Sequence, residues 1–458
     1  PLGRAIAPVA QAHPGLSGIH PLTDARAAFA ARVVLGRAAA RCIDAQYYIW
    51  HDDLTGKLLF NELRIAADRG VRVRLLLDDN NTSGLDPIVA ALDAHPNIEV
   101  RLFNPFTIRS PRLAGYLTDF SRLNRRMHNK SFTVDNQATI VGGRNIGDEY
   151  FGTGGGALFV DVDVLAVGAV VPDVSRDFDR YWASDSSYPA EDLVPPIGAE
   201  RRKEVEGRLS SAARSPEGQA YAEAVRRLPL VDLLLQHRLF EWAPVRLVSD
   251  DPAKGLGRVA QNDLFFSRLT ARMGEPKREL GLVSSYFVPA RTGARALAAM
   301  AARGVEVTVL TNALEATDVP IVHAGYAKWR KPLLRAGVRI FELRGPEAGA
   351  RPRSEVRRGG GSGSRLTGAG SALHAKTMAV DRKRVFVGSF NFDPRSANLN
   401  TELGFVIDSP RFAELMHAAF AGLNSDRAYE VRLSPQGELY WLERQNGREA
   451  RHDTEPGT

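Results

Sequence analysis

The sequence predicts an α/β protein built from two copies of one unit. Three observations carry that reading: strand-like and helix-like periodicities alternate twice along 458 residues; two distant strings align with each other; and 44% hydrophobic residues suffice for two buried cores. The aligned strings are AADRGVRVRLLLDD and AAMAARGVEVTVLTNA, which superpose at Gly70 and Gly304 without a gap.

Residues 1–22 are rich in Pro, Gly and Ala without periodicity and read as a loose lead-in. From Asp24, DARAAFAARVVLGRAAARC places small apolar residues at i, i+3 and i+4, the helical pattern. IDAQYYIW then reads as a strand, and LTGKLLFNELRIAADRG as an amphipathic helix stopped by Gly70. VRVRLLLDD is a strand, LDPIVAALDAHPN a helix and IEVRLF a strand. The βαβαβ rhythm implies a largely parallel sheet with helices on its faces. It returns as LGLVSSYFVP, ARTGARALAAMAARG, VEVTVLTN and AGVRIFEL. The domain plan is therefore a first unit over 23–194, a charged helical connector over 195–242 packing on both halves, a second unit over 243–448 and a tail over 449–458. An Arg- and Gly-rich insert, 351–370, reads as a mobile basic loop bordering the second motif described below.

Composition narrows the partners little. Sixty Lys and Arg against 53 Asp and Glu give a net charge of +7, compatible with nucleic acid, an anionic membrane surface or plain solubility. The single cysteine, Cys42, excludes an internal disulfide framework and any multi-cysteine metal site; it reads as a small buried residue. No apolar run approaches the roughly 18 to 20 residues that span a bilayer. The chain begins Pro1-Leu2-Gly3 rather than with Met, which reads as trimming or processing and leaves a removed export signal or anchor open.

The chemistry lies in a repeated eighteen-residue string, HNKSFTVDNQATIVGGRN from His128 to Asn145 and HAKTMAVDRKRVFVGSFN from His374 to Asn391. Both fit His-x-Lys-x4-Asp-x6-Gly-(Gly/Ser)-x-Asn. With only nine lysines in the chain, a Lys two residues after a His in both copies is informative. On a strand, residues two apart share a face, so His128 with Lys130, and His374 with Lys376, can meet one phosphate. Asp135 and Asp381 fall where a turn is needed, and the following strand returns Asn145 and Asn391 beside the lysines. The small residues Gly142, Gly143, Gly388 and Ser389 would let backbone approach an anion closely. Two histidines meet the needs of a metal-free phosphodiester displacement: one neutral imidazole attacks phosphorus and one charged imidazole protonates the leaving alkoxide. Two lysines and two asparagines would stabilise the non-bridging oxygens. Neither a metal nor another cofactor is required.

These residues resemble the signature of the phospholipase D superfamily, over essentially the whole chain. The longer strings RMHNKSFTVDNQATIVGGRNIGDEYF, LHAKTMAVD and GSFNFDPRSANLNTELG are similar to its bacterial cardiolipin synthase branch and related phosphatidyl transferases. The resemblance implies two αβα sandwiches packed as a pseudo-twofold dimer, with one active site at their junction. It implies a phosphohistidine mechanism in which His128 is the nucleophile and His374 the acid, and then the base toward water or an alcohol. Each imidazole should be oriented by a carboxylate. Glu402 sits where superfamily members place that acid, and Asp163 aligns with it in the first half, with Asp161 as the fallback. Asp135 and Asp381 are then structural. The implied substrates are glycerophospholipids, hydrolysed to phosphatidic acid or passed to an alcohol such as phosphatidylglycerol.

Arg125 and Arg126 divide between head-group contacts and surface charge; Trp50, Phe103, Phe106, Tyr116 and Phe120 divide between core and an acyl groove. His51, His95, His237 and His323 follow no ligand spacing and receive no role. The expected setting is a monomer with an internal pseudo-dimer, peripheral to the membrane of a bacterial cell envelope or exported, with no nucleic-acid partner. The rivals are a nuclease or other phosphodiesterase of the same superfamily, disfavoured because no basic stripe with interleaved aromatics is present, and a non-enzymatic membrane-surface scaffold.

Overall fold

The computed structural model describes residues 2–109, 119–153, 159–227, 240–317, 319–345, 372–445 and 447–457. Strands of the first half are β1 (Ser17–Leu22), β2 (Cys42–Tyr47), β3 (Arg72–Asp78), β4 (Ile98–Phe103), β5 (Ser131–Val134) and β6 (Ala138–Gly142). They are followed by β7 (Phe159–Val160), β8 (Asp163–Gly168), β9 (Ser187–Pro189) and β10 (Glu241–Ala243). The second half contributes β11 (Val245–Ser249), β12 (Glu279–Ser284), β13 (Glu306–Asn312), β14 (Arg339–Leu343), β15 (Ala372–Leu373) and β16 (Lys376–Val380). It ends with β17 (Arg384–Gly388), β18 (Leu403–Asp408), β19 (Ala428–Leu433), β20 (Leu439–Gln445) and β21 (Arg448–His452).

The duplication is visible in the strand order. The first sheet runs β10-β1-β8-β6-β5-β2-β3-β4-β9 and the second β11-β18-β17-β16-β12-β13-β14-β19-β20-β21, so one order is used twice. Within these two sheets β2-β3-β4 and β12-β13-β14 are parallel, and the other pairs are antiparallel. The sheets are therefore mixed rather than largely parallel. The cause lies in the motif itself, which folds as a tight hairpin, and such a hairpin makes antiparallel neighbours. In both copies the turn uses two left-handed residues, Asp135 and Asn136 at φ 53° and 54°, and Asp381 and Arg382 at φ 53° and 49°. Gly70 and Gly304 end their helices at φ 88° and 87°, where a side chain would be strained.

Each sheet has two apolar faces because successive side chains point oppositely. In the first half, Ile43, Ala45, Val73 and Leu75 pack under the helices Ala25–Ala38, Leu54–Asp68 and Asp86–Asp93. The second half repeats this with Leu280, Leu282, Val307 and Val309 under Phe265–Met273 and Ala290–Ala302. The remaining faces meet: Val141, Val164 and Ala166 share one buried cluster with Val385, Val387, Phe405 and Ile407. Helices Val171–Trp182 and Pro410–Asp426 also feed that cluster, through Val174 and Phe412. The halves are thus joined by core rather than by a linker.

Three boundaries differ from the sequence reading. Residues 1–22 are not a loose lead-in: Leu2–Gln11 is helical, and β1 is an inner strand paired to both β8 and β10, with Ile19 in the shared core. Gly15, Gly18 and Pro21 hide that strand from a periodicity count. The connector helices Ala199–Arg214 and Pro216–Arg226 lie against Leu54–Asp68 and Ala25–Ala38 of the first half, and β10 completes the first sheet before the chain crosses at Pro244. The tail is tied down: β21 pairs with β20, and Glu455 accepts from Arg330 at 2.5 Å and lies 2.6 Å from His323. The insert 351–370, Tyr116 and His237 lie outside the described residues.

Candidate active site

The two motifs are brought together by backbone as well as by core. His128 N–H donates to the Thr401 carbonyl and Thr401 N–H to the Arg126 carbonyl, each at 2.9 Å. The symmetric tie is made by His374 N–H to the Val160 carbonyl at 2.8 Å, where β7 and β15 form a two-stranded parallel sheet across the halves. A side chain at the end of the central strand clamps the residue before each histidine. Asp78 accepts from Met127 N–H at 2.7 Å, and Asn312 accepts from Leu373 N–H at 2.8 Å.

Each tie carries a carboxylate from one half to the imidazole of the other. His128 Nδ1 lies 2.9 Å from Glu402 Oε2, and His374 Nδ1 lies 2.5 Å from Asp161 Oδ2. In each ring it is Nδ1 that the carboxylate engages, with Nε2 on the opposite side. Asp163, the sequence alignment's choice, reaches no imidazole. It accepts from Arg32 Nη2 at 2.9 Å and from Arg144 N–H at 3.1 Å, forming a fully buried ionic support. Strand register explains the correction. Gly142 faces Asp163 and Gly388 faces Gly404, so the residue equivalent to Glu402, two before Gly404, is Asp161. The alignment was out by one period of the strand.

Lys130 Nζ donates to the His128 carbonyl at 2.6 Å, and Lys376 Nζ donates to the His374 carbonyl and lies 2.9 Å from His374 Nδ1. Asn145 Oδ1 accepts from Ile49 N–H at 3.2 Å, and Asn391 Oδ1 accepts from Ser285 Oγ at 2.8 Å. With both amide oxygens so engaged, each asparagine presents its NH₂; that of Asn145 donates to Tyr150 Oη at 3.0 Å. Two tyrosines absent from the sequence reading frame the imidazoles edge-on: Tyr48 against His128 at 5.0 Å and Tyr150 against His374 at 5.2 Å. Their only sequence signal was position, at the end of β2 and just after the motif.

The motif aspartates face away from this site. Asp135 accepts from the N–H groups of Ala40, Arg41 and Cys42, and Asp381 from those of Lys277, Arg278 and Glu279. Each fastens the start of the strand beside its hairpin. The small residues also make room for the supporting acids. A Cβ on Gly142 would stand 2.2 Å from an Asp163 oxygen, one on Gly143 2.1 Å from an Asp161 oxygen, and one on Gly388 2.5 Å from the Leu403 carbonyl. The crowding comes from the supporting acids and their strand. Ser389, in the place of Gly143, donates to Glu402 Oε2.

Arg126 is buried, donating to the Leu123 and Asn104 carbonyls at 2.7 and 2.9 Å, so it is neither surface charge nor a head-group contact. Arg125 reaches across the junction to the Lys254 and Asn398 carbonyls. Trp50, Phe103 and Phe106 are core, whereas Phe120 is 62% exposed.

Burial and the neighbouring ammonium groups shape the titration of the site. His128 is driven well below the usual imidazole value by burial, then by Lys130 and Lys376. His374 is lowered to about 4 by burial and Lys376, against the opposing pull of Asp161. Lys130 is itself lowered, chiefly by burial. Glu402 is raised to about 7 by burial, with Lys130 opposing. Asp161 is equally buried, yet His374, Lys376 and Arg144 hold its carboxylate below the ordinary range. Burial and the ammonium groups thus both favour the neutral form of the two rings.

A family model described as cardiolipin synthase, PLD-like domain, matches residues 33–182 and again 269–424, once in each half. Cardiolipin synthase C of Escherichia coli (strain K12) is 48% identical over 459 aligned positions, covering 100% of this chain and 95% of that protein. Cardiolipin synthase B of the same organism is 27% identical, over 85% of this chain and 76% of its own. The crystal structure of a phosphatidylserine synthase from Haemophilus influenzae Rd KW20 matches with a TM-score of 0.60 at 14% identity. It covers 94% of this chain and 91% of that one, a likeness of fold.

Proposed function

The chain belongs to the phospholipase D-like cardiolipin synthase family, and we propose that it transfers a phosphatidyl group from one glycerophospholipid to the hydroxyl of another through a phosphohistidine. The observation that carries this reading is the crossed pair His128–Glu402 and His374–Asp161, at 2.9 and 2.5 Å. In the first displacement His128 Nε2 attacks phosphorus, the bond to the head-group oxygen breaks, and His374 gives that oxygen a proton. In the second, His374 takes the proton of the acceptor hydroxyl, the oxygen attacks phosphorus and the P–N bond breaks. Lys130, Lys376, Asn145 and Asn391 hold the non-bridging oxygens throughout.

The choice of His128 as nucleophile rests on the carboxyls. Asp161 stays ionised and can balance the imidazolium that His374 must be before it gives up its proton, once the substrate phosphate offsets the Lys376 charge that lowers the ring, whereas Glu402, at about 7, supports a neutral ring. The acceptor is phosphatidylglycerol, giving cardiolipin. The setting is the surface of a bacterial membrane, where both lipid substrates lie, and one chain suffices because both half-sites come from it; among the described residues no helix is long and apolar enough to cross a membrane.

The test is incubation with vesicles of phosphatidylglycerol and phosphatidylethanolamine, followed by lipid chromatography. A four-chain product is expected. Phosphatidic acid alone at every acceptor concentration would make the enzyme a hydrolase, and cleavage of nucleic acid alone would overturn the lipid reading.

A further inference from the structure

The second half contains a cavity of about 710 Å³ whose wall is mostly apolar, with Phe266, Leu282, Met300, Met378, Phe390 and Phe392 among its lining. That volume lies within the range of small-ligand sites. Two features tie it to the reaction centre. Lys376, Met378 and Val380 share one face of β16, so the cavity over Met378 and Val380 lies along the strand face that also carries Lys376. Phe390 and Phe392 flank Asn391, whose NH₂ faces the same centre.

The first half fills the equivalent position with a larger side chain. Phe132, which occupies the motif position of Met378, is fully buried there. The helix Ala25–Ala38 has 14 residues against nine in its counterpart Phe265–Met273, so the second-half helix is about 7.5 Å shorter at 1.5 Å per residue. The connector helices add a further layer over the first half. The gap is thus a departure from the duplicated plan, confined to one side of one site.

We infer that this cavity receives an acyl chain of the phosphatidyl donor, the lipid whose phosphate sits on Lys130 and Lys376. The inference rests on the phosphatidyl-transfer reading. A hydrocarbon wall on the strand face of Lys376, with Phe390 and Phe392 on either side of Asn391, fits the diacylglycerol side of that lipid, because only the glycerol separates phosphorus from the chains. Each methylene buried there strengthens binding roughly fourfold. The wild-type kcat/KM therefore rises with donor chain length until the space is filled, and then levels.

The experiment measures kcat/KM for donors of increasing chain length, each below its critical micelle concentration, for the wild type, Ala296→Trp and Met300→Trp. Ala296 stands on the exposed side of the cavity wall, so its replacement is the one better tolerated by folding, and thermal denaturation checks both. The expected result is a chain-length rise in the wild type that is flattened at least tenfold at the longest chain in the variants. Curves that stay parallel to the wild type would overturn the inference. A second arm uses phosphatidylethanolamine, the donor in the vesicle assay, carrying a diazirine at the acyl terminus, with the cross-link located by mass spectrometry. Labelling of Phe266 or Met300 supports the cavity. Active enzyme labelled elsewhere overturns it and leaves the transfer reading standing, while an inactive wild type labelled at these residues retains the chain site and sinks the transfer reading.

Discussion

The two imidazoles are related by the duplication, but the carboxyls behind them are not equal. Asp161 accepts from Val162 N–H at 2.8 Å as well as facing His374, and its carbonyl accepts from buried Arg144 at 2.6 Å. Cations on two sides keep it ionised. Glu402 has Ser389 and His128 on one oxygen, and burial leaves its carboxyl near 7. A copied motif therefore does not produce copied chemistry: the proton inventory of each half is set by the residue that its partner strand delivers. The same holds one period along that strand. The first half has Asp163 bound to Arg32 and Arg144, and the second has Gly404 under the Phe386 ring.

The largest effect that can break or sharpen this comparison is removal of the rings themselves. His128→Ala and His374→Ala should each lower turnover by at least about 10⁴-fold, since nucleophilic and general-acid contributions are both essential. The two should respond differently to a 4-nitrophenyl leaving group, which needs no acid. His374→Ala should recover its first step and His128→Ala should not; equal recovery would erase the asymmetry. Next in size are the carboxyls. Asp161→Asn should cost roughly 10³- to 10⁴-fold in kcat with little change in KM, because it must balance an imidazolium. Glu402→Gln should be at least about tenfold milder, since an amide oxygen can still accept from Nδ1–H and hold the same tautomer. The reverse order in steady-state kinetics would exchange the roles of the two histidines.

A smaller effect concerns pH. His128 attacks through Nε2 only when Nδ1 carries the proton, which requires Glu402 as the carboxylate. The single-turnover rate of the first step should therefore rise with pH through about 7 in the wild type, and the limb should be absent in Glu402→Gln. A limb that survives the substitution would assign it to another group. The smallest effect is on stability alone. Asp135→Ala, which strips three amides of a mostly buried partner, should lower the unfolding free energy by about 1–3 kcal/mol, read as a lower urea midpoint at unchanged slope, and the more solvated Asp381→Ala by less.

Much of this was legible in the chain. The repeated periodicity and the eighteen-residue string located both hairpins, both sets of His, Lys and Asn, and the turn-supporting role of Asp135 and Asp381. What was not legible follows from pairing at a distance. A strand alternates every two residues, so FVDVDVLAVG offers Asp161 and Asp163 with equal local credentials, and only the register of Gly142 against β8 separates them. The exchange of carboxyls between halves depends on the tie of Thr401 to His128, 273 residues apart in sequence, which no local pattern encodes. β1 was missed because its glycine and proline read as loop, although its neighbours on both sides supply the ladder.

The central claim is that one chain builds one site in which His128 carries the phosphoryl group and His374 the proton. Its most direct measurement is rapid-quench mass spectrometry of His374→Ala mixed with a phosphatidyl donor bearing a 4-nitrophenyl leaving group. Without the second histidine to activate an acceptor, a phosphatidyl adduct should accumulate on the peptide containing His128 in step with one equivalent of nitrophenolate. Release of nitrophenolate without an adduct on that peptide would contradict the account.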